Sequence, residues 1–274
     1  MDAVGTDADG NIALTEFKSS ATAGFTRNQE SGFPAIGANG GTVVGNNGGA
    51  AYPAGTVIPP TTVNVSRFYE RFCPFLEKCG FKLKKSEDKL IRKHLDRSDV
   101  FQVLWRDSAG GWKIQPQVGV RHERVEEVFH ETSGFEKKFQ AGTSTVGTSI
   151  GVLQGGINSD VEFFIESVGQ IDFAVDGMLK AFFDVALQYY DQWKDVASID
   201  EALNDEPSKP VPHLRPGLPW FRSSTGAIVA KMQRRANYEE VVGEYREVMK
   251  NNNKGFYLSR FDALLHHLKD ATLP

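Results

Sequence analysis

The sequence has almost no cysteine: Cys73 and Cys79 are the only two among 274 residues. Two thiols build neither a disulfide framework nor a four-ligand zinc site, and their scarcity points to a reducing compartment, so the expected location is cytoplasmic. Long apolar runs are also lacking. The most apolar stretch, Ile171 to Tyr190, is interrupted by Asp172, Asp176, Lys180 and Asp184 at four-residue steps, the pattern of a helix with one wet face. A bilayer span needs ~18 or more uncharged apolar residues, so no partnership with a membrane is expected. The first residues have no basic cluster and no apolar run and do not read as a secretory signal. Basic charge is not in excess either. Lys and Arg number 31 against 35 Asp and Glu, a net −4, which excludes the global positive field of a non-specific nucleic-acid binder. Phosphate-cradling glycine loops, dinucleotide fingerprints and nucleophile elbows are missing. The six histidines show no ligand spacing with an acid or thiol partner.

The composition that is present divides near Val65. Residues 1–65 hold two basic and five acidic side chains and eleven of the 27 glycines, so they carry −3 of the −4 and differ in build from the rest of the chain. Asp2–Thr6 and Ile12–Lys18 read as two strands joined by Asp7-Ala-Asp-Gly-Asn11, whose Asp-Gly pair is a hairpin turn signal. A short helix is expected over Thr22–Ser31, a third strand at Thr42–Gly45, and an extended exit over Thr56–Val65, where Pro59-Pro60 permits pairing only at an edge.

Beyond it, Ser66 is read as the N-cap of a helix that Gly80 terminates, with Pro74 kinking or dividing it. Leu90–Leu95, Asp99–Arg106 and Trp112–Arg121 alternate as three strands, with Trp105 and Trp112 as cross-strand partners beside the Ala109-Gly-Gly111 turn. A strand pair is expected at Thr145–Leu153 and Val161–Ser167, then a long helix over Asp172–Trp193. Five prolines between Pro207 and Pro219 mark a connector, followed by helical patterns over Ala227–Lys250 and Tyr257–Lys269. The expected fold class is α+β, a sheet with helices packed on it. Its expected divisions are 1–65, an α+β domain over 66–206, a connector over 207–222 and a helical hairpin over 223–274.

Chemistry concentrates in the first segment. Side chains two apart on a strand share a face, so Glu16 and Lys18 project together, and Asp2 on the partner strand can converge on them. Two carboxylates that hold Mg²⁺ and a lysine that steadies developing negative charge are the components of metal-assisted phosphodiester cleavage. Asp7 and Asp9 belong to the turn.

The blocks Asp2-Ala-Val-Gly, Asp9-Gly-Asn-Ile-x-Leu-Thr-Glu-x-Lys-Ser-Ser20, Thr26-x-Asn-Gln29, Gly32-Phe-Pro34, Gly40-Gly-Thr-Val-Val-Gly45 and Gly55-Thr-Val-Ile-Pro-Pro60 resemble the C-terminal part of PD-(D/E)XK, restriction-endonuclease-like toxin domains of bacterial polymorphic and contact-dependent toxins. The resemblance implies Asp2 and Glu16 as the metal-binding acids, Lys18 as the catalytic lysine, Gln29 as a supporting helix residue, Mg²⁺ as the ion and DNA as the substrate. Such domains begin with a helix and a strand ahead of the Asp2 position, whereas this chain starts one residue before it. A truncated nuclease, weak or inactive alone, is therefore expected.

Residues 66–274 loosely resemble the immunity-like domains of unassigned function encoded beside such toxins. The resemblance lies in the helix ending at Cys79-Gly-Phe-Lys82, the following meander and the long helix ending near Tyr189-Tyr-Asp-Gln-Trp193. It implies a cognate nuclease toxin as protein partner. Asp172, Asp176 and Asp184 form a carboxylate row able to face a nuclease's basic channel, although most such rows are only solvated helix faces. Two readings stay open: an immunity-like binder fused to a nuclease remnant, or an active Mg²⁺-dependent endonuclease using Asp2, Glu16 and Lys18.

Overall fold

The computed structural model describes residues 3–6, 12–17, 27–44, 52–60, 63–66, 68–84, 87–108, 111–156, 159–165, 168–209, 211 and 219–271. In chain order its elements are β1 (Ala3–Thr6), β2 (Ile12–Phe17), α1 (Arg27–Asn39), β3 (Gly41–Thr42), β4 (Val57–Ile58), β5 (Val63–Ser66), α2 (Phe68–Glu77), β6 (Lys82–Lys84), β7 (Lys89–Lys93), β8 (Arg97–Ser108) and β9 (Gly111–His122). Next come α3 (Glu123–Thr132), α4 (Lys137–Gln140), β10 (Val146–Ser149), α5 (Ile150–Gly155), β11 (Phe163–Ile165) and α6 (Val168–Ala181). A π-helical turn, Phe182–Ala186, leads into α7 (Leu187–Gln192), then α8 (Val196–Asn204), α9 (Pro219–Met232), α10 (Tyr238–Asn251) and α11 (Leu258–Asp270). This is the expected α+β class. Among the described residues no helix is long and apolar enough to cross a membrane.

Three sheets form. One has the order β1-β2-β5, one is the β3-β4 pair, and the largest runs β10-β9-β8-β7-β6 with β11 also on β9. The chain groups into two compact units, residues 1–90, 102–116 and 162–181 in one and 91–101, 117–161 and 182–274 in the other, so β7, β8 and β9 supply residues to both. The compositional step at Val65 falls inside the first unit.

In the first unit α2 buries Phe68, Tyr69, Phe72, Cys73 and Leu76, residues spaced along one helical face. That burial holds the helix through Pro74, which neither ends nor divides it. Ser66 is the last residue of β5 rather than a cap. Gly80, at φ 84°, closes the helix in the left-handed region as expected, and Phe81 N–H returns to Leu76 O at 3.1 Å. Trp105 and Trp112 meet edge to face with centroids 6.3 Å apart, the cross-strand pair their spacing implies.

The expected strand pair at 145–153 and 161–167 does not form. Val146–Ser149 and Phe163–Ile165 each pair antiparallel with a different part of β9, and Ile150–Gly155 is helical because the Ser149 hydroxyl accepts the Val152 N–H and starts a turn.

The second unit is mainly helical. α9 lies at its centre, packing on α3, α8, α10 and α11. Its run Ser223-Ser-Thr-Gly-Ala is entirely buried, and such small side chains let neighbouring helices approach. The single helix expected over Ala227–Lys250 is two helices broken near Arg234, so the C-terminal region is more than a hairpin.

Candidate functional site

The segment that resembles a nuclease forms one local arrangement. β1 and β2 pair antiparallel from Ala3↔Thr15 to Thr6↔Ile12, and β2 then pairs parallel with β5, Leu14 opposite Val63 and Glu16 opposite Val65. A parallel pair requires a crossover, and α1 with the β3-β4 pair supplies it. Glu16 therefore stands on the middle strand. Leu14, two residues earlier, is fully buried. The expected helix starts and ends later than Thr22–Ser31, over Arg27–Asn39, and the expected third strand is only Gly41–Thr42. Gly40 permits that junction: its φ is 71°, and a Cβ there would lie 2.3 Å from Ile58 O.

Gln29 is in the first turn of α1, which packs on β5. Asp2 and Lys18 lie outside the described residues. Among the described residues no cluster of three His, Cys, Asp or Glu side chains could hold a metal ion. The described part of the site thus comprises the strand positions for Glu16 and the helix position for Gln29, with no ligand set for Mg²⁺.

On the long helix, Asp172, Asp176 and Lys180 in α6 and Asp184 in the π-helical turn are all exposed. Asp172 forms an ion pair with Arg71 of α2. The row does not continue evenly. Asp191 pairs with Lys194 at 3.3 Å, and Asp195 caps α8 by accepting the Ser198 N–H at 2.8 Å, a bond that holds its carboxyl below the usual range.

Two polar clusters of the second unit have no signature in the sequence. In the first, Arg121 Nη1 donates to Gln140 O at 2.9 Å, Thr143 O at 3.0 Å and Thr143 Oγ1 at 2.9 Å. The Thr143 hydroxyl donates to the buried Glu126 carboxylate, so it must accept from His130 Nε2 at 2.9 Å. A histidine beside a hydroxyl suggests a nucleophile and its base. Here the hydroxyl proton is already directed to Glu126, so His130 is not placed to remove it. The arrangement ties α3 to the loop before β10.

In the second, Asp99 is fully buried. Arg92 Nε and Nη2 reach its Oδ2 at 2.9 and 2.8 Å, and His94 Nε2 lies 2.8 Å from the same oxygen. Arg97 Nε is 3.2 Å from Oδ1 without hydrogen-bonding alignment. An ionised carboxylate only accepts, so His94 Nε2 carries a proton and its 3.2 Å approach to Arg97 Nη2 is a contact rather than a hydrogen bond.

His122 is a buried imidazole, 4% exposed. Its Nε2–H donates to Trp193 O at 3.0 Å, and burial above all lowers its pKa, with Arg97 adding to the effect. The native pKa is therefore below the unfolded one, and the unfolded chain binds the proton more readily. The stability His122 contributes is present above the unfolded value of about 6.5 and is lost as pH falls through it. His122→Gln should flatten the pH dependence of urea unfolding between pH 7 and pH 5 by up to about 1.4 kcal/mol per pH unit. An unchanged slope would assign that dependence to other groups.

No family model, curated protein or solved structure matches this chain.

Proposed function

We propose that this is a toxin- and immunity-locus protein, in which residues 1–65 descend from the end of a restriction-endonuclease-like toxin domain and the remainder binds and blocks a nuclease of that kind. One observation carries the reading. Glu16, within the Glu-x-Lys block, stands on the middle strand of β1-β2-β5, with an antiparallel hairpin on one side and a parallel strand, reached through a helix, on the other. That hairpin, helix and parallel strand follow the order in which the nuclease-like blocks occur. Among the described residues β1 is an edge of this sheet. The exposed carboxylates of Asp172, Asp176 and Asp184 support a partner with a basic surface, which they would draw in by electrostatic steering. The scarcity of cysteine, with Cys73 and Cys79 the only two in the chain, supports a reducing, cytoplasmic setting.

The test is plasmid cleavage with Mg²⁺. The full chain and its Glu16→Ala variant are both expected to leave the plasmid intact. Both are expected to slow cleavage by an intact nuclease domain that carries the same Asp, Glu-x-Lys pattern. Asp176→Lys with Asp184→Lys should weaken that inhibition about tenfold, roughly 1.4 kcal/mol. Cleavage by the full chain that disappears in Glu16→Ala would replace this reading with that of an active Mg²⁺-dependent endonuclease.

A further inference from the structure

The hairpin of β7 and β8 ends in a tight turn, closed where His94 N–H donates to Arg97 O at 2.8 Å. The two side chains stand together there, that of His94 36% and that of Arg97 11% exposed. Beneath them the buried Asp99 is shared unevenly. Arg92 and the Nε2–H of His94 converge on its Oδ2, and Oδ1 accepts no hydrogen bond. Arg97 thus has a counter-ion but no aligned acceptor. Its Nε is buried and misaligned on Oδ1, its Nη2 faces the protonated Nε2 of His94, and its Nη1 makes no bond and is not enclosed. A nearly buried cation whose N–H groups lack acceptors is costly. On His94, Asp99 fixes the proton on Nε2, which leaves the Nδ1 lone pair unbonded.

We propose that this end of the hairpin binds a phosphate group that carries one proton, as inorganic phosphate or a phosphate monoester. Charge and proton both select it. Arg92 and Arg97 against Asp99 leave a surplus of one positive charge. On the same turn the exposed Lys93 and Asp96 cancel, the Glu123 carboxylate is held by Arg121 at 2.8 Å, and burial keeps His122 uncharged. A monoanion therefore neutralises the cluster. Nδ1 offers a lone pair rather than an N–H, so an anion without a proton would set lone pair against lone pair. A monohydrogen phosphate, whose second pKa is about 6, brings the missing proton: its P–OH donates to Nδ1 while its anionic oxygens accept from Arg97 Nη1. Sulfate, carboxylates and phosphodiesters hold no such proton at neutral pH. This inference does not depend on the nuclease-related reading.

The test is titration of the full chain with methyl phosphate, inorganic phosphate, sulfate and dimethyl phosphate at constant ionic strength and about pH 6.5. The readouts are the side-chain NMR signals of the His94 imidazole and the Arg97 guanidinium. Methyl phosphate or inorganic phosphate is expected to shift both signals to saturation and to bind about tenfold more tightly than sulfate or dimethyl phosphate, the worth of one hydrogen bond to a charged group. General attraction to positive charge predicts the reverse for sulfate, which is a dianion. Saturation by either phosphate supports the inference, and the tighter of the two tells ester from free ion. His94→Phe, a change at an exposed position, should abolish the preference over sulfate read at Arg97, and Arg97→Lys should weaken binding of the phosphates. Shifts that grow without saturating, sulfate binding as tightly as the phosphates, or a preference unchanged in His94→Phe would each overturn the inference.

Discussion

Asp99→Ala is expected to lower the free energy of unfolding by about 3–5 kcal/mol, the cost of leaving buried partners of an ion cluster uncompensated. The removed carboxylate is fully buried, and the side chains it holds are only partly exposed, Arg97 at 11% and Arg92 at 26%. Both guanidiniums would keep their charge and lose their counter-ion. The cluster itself is not a strong net source of stability, since its charges have been withdrawn from water. The triple change Asp99→Leu, Arg92→Met and Arg97→Met should therefore cost less than Asp99→Ala alone. Urea unfolding of the two variants decides the matter. A triple variant that loses as much as the single would mean that the cluster acts through packing rather than charge balance.

Gly226→Val is expected to cost about 3 kcal/mol, the upper part of the range for forcing extra methyl groups into a filled core. Gly226 lies in α9, where a Cβ would stand 2.4 Å from Tyr245 Oη and 2.6 Å from two ring carbons. Tyr245 is fully buried, and its hydroxyl lies 2.7 Å from Leu203 O and 2.8 Å from Asn204 Oδ1. Asn204 Nδ2 in turn donates to Gly226 O at 3.0 Å and to Asp200 Oδ1 at 2.6 Å. A side chain at 226 would thus displace a ring that anchors α8 to α10. Tyr245→Leu alone destabilises, but combined with Gly226→Val it should cost less than the two separate losses added, because both act on the same contact. Strict additivity in thermal or urea unfolding would show that the contact does not limit the site.

Some of this structure is legible in the sequence because the cause is local. Alternating segments on either side of an Asp-Gly pair signal the antiparallel pairing of β1 with β2, and alternation around Gly110-Gly111 signals β8 and β9. Gly80 ends α2 for a reason any isolated chain would share. The break between α9 and α10 has no such cue. Gln-Arg-Arg-Ala-Asn237 contains neither glycine nor proline, yet Arg234 takes φ 54° there. Arg235, next to it, is held by Asp200 at 2.9 Å and by Asp205, residues that arrive from α8 and its C-terminal end. The turn is fixed by partners 30 and 35 positions away.

The candidate sites divide in the same way. Glu16, Lys18 and the acidic row are visible as spacings, since a strand or helix period decides which side chains are neighbours before any folding is known. The placement of Glu16 on a middle strand required β5, whose parallel pairing with β2 depends on the long crossover through α1 and the β3-β4 pair. By itself the sequence determined the α+β class, the β1-β2 and β8-β9 strands and the wet face of the long helix, because periodicity and turn chemistry act over a few residues. Only the tertiary structure decided which distant strands pair and which charges are buried together, because those depend on contacts between distant segments that no local pattern records.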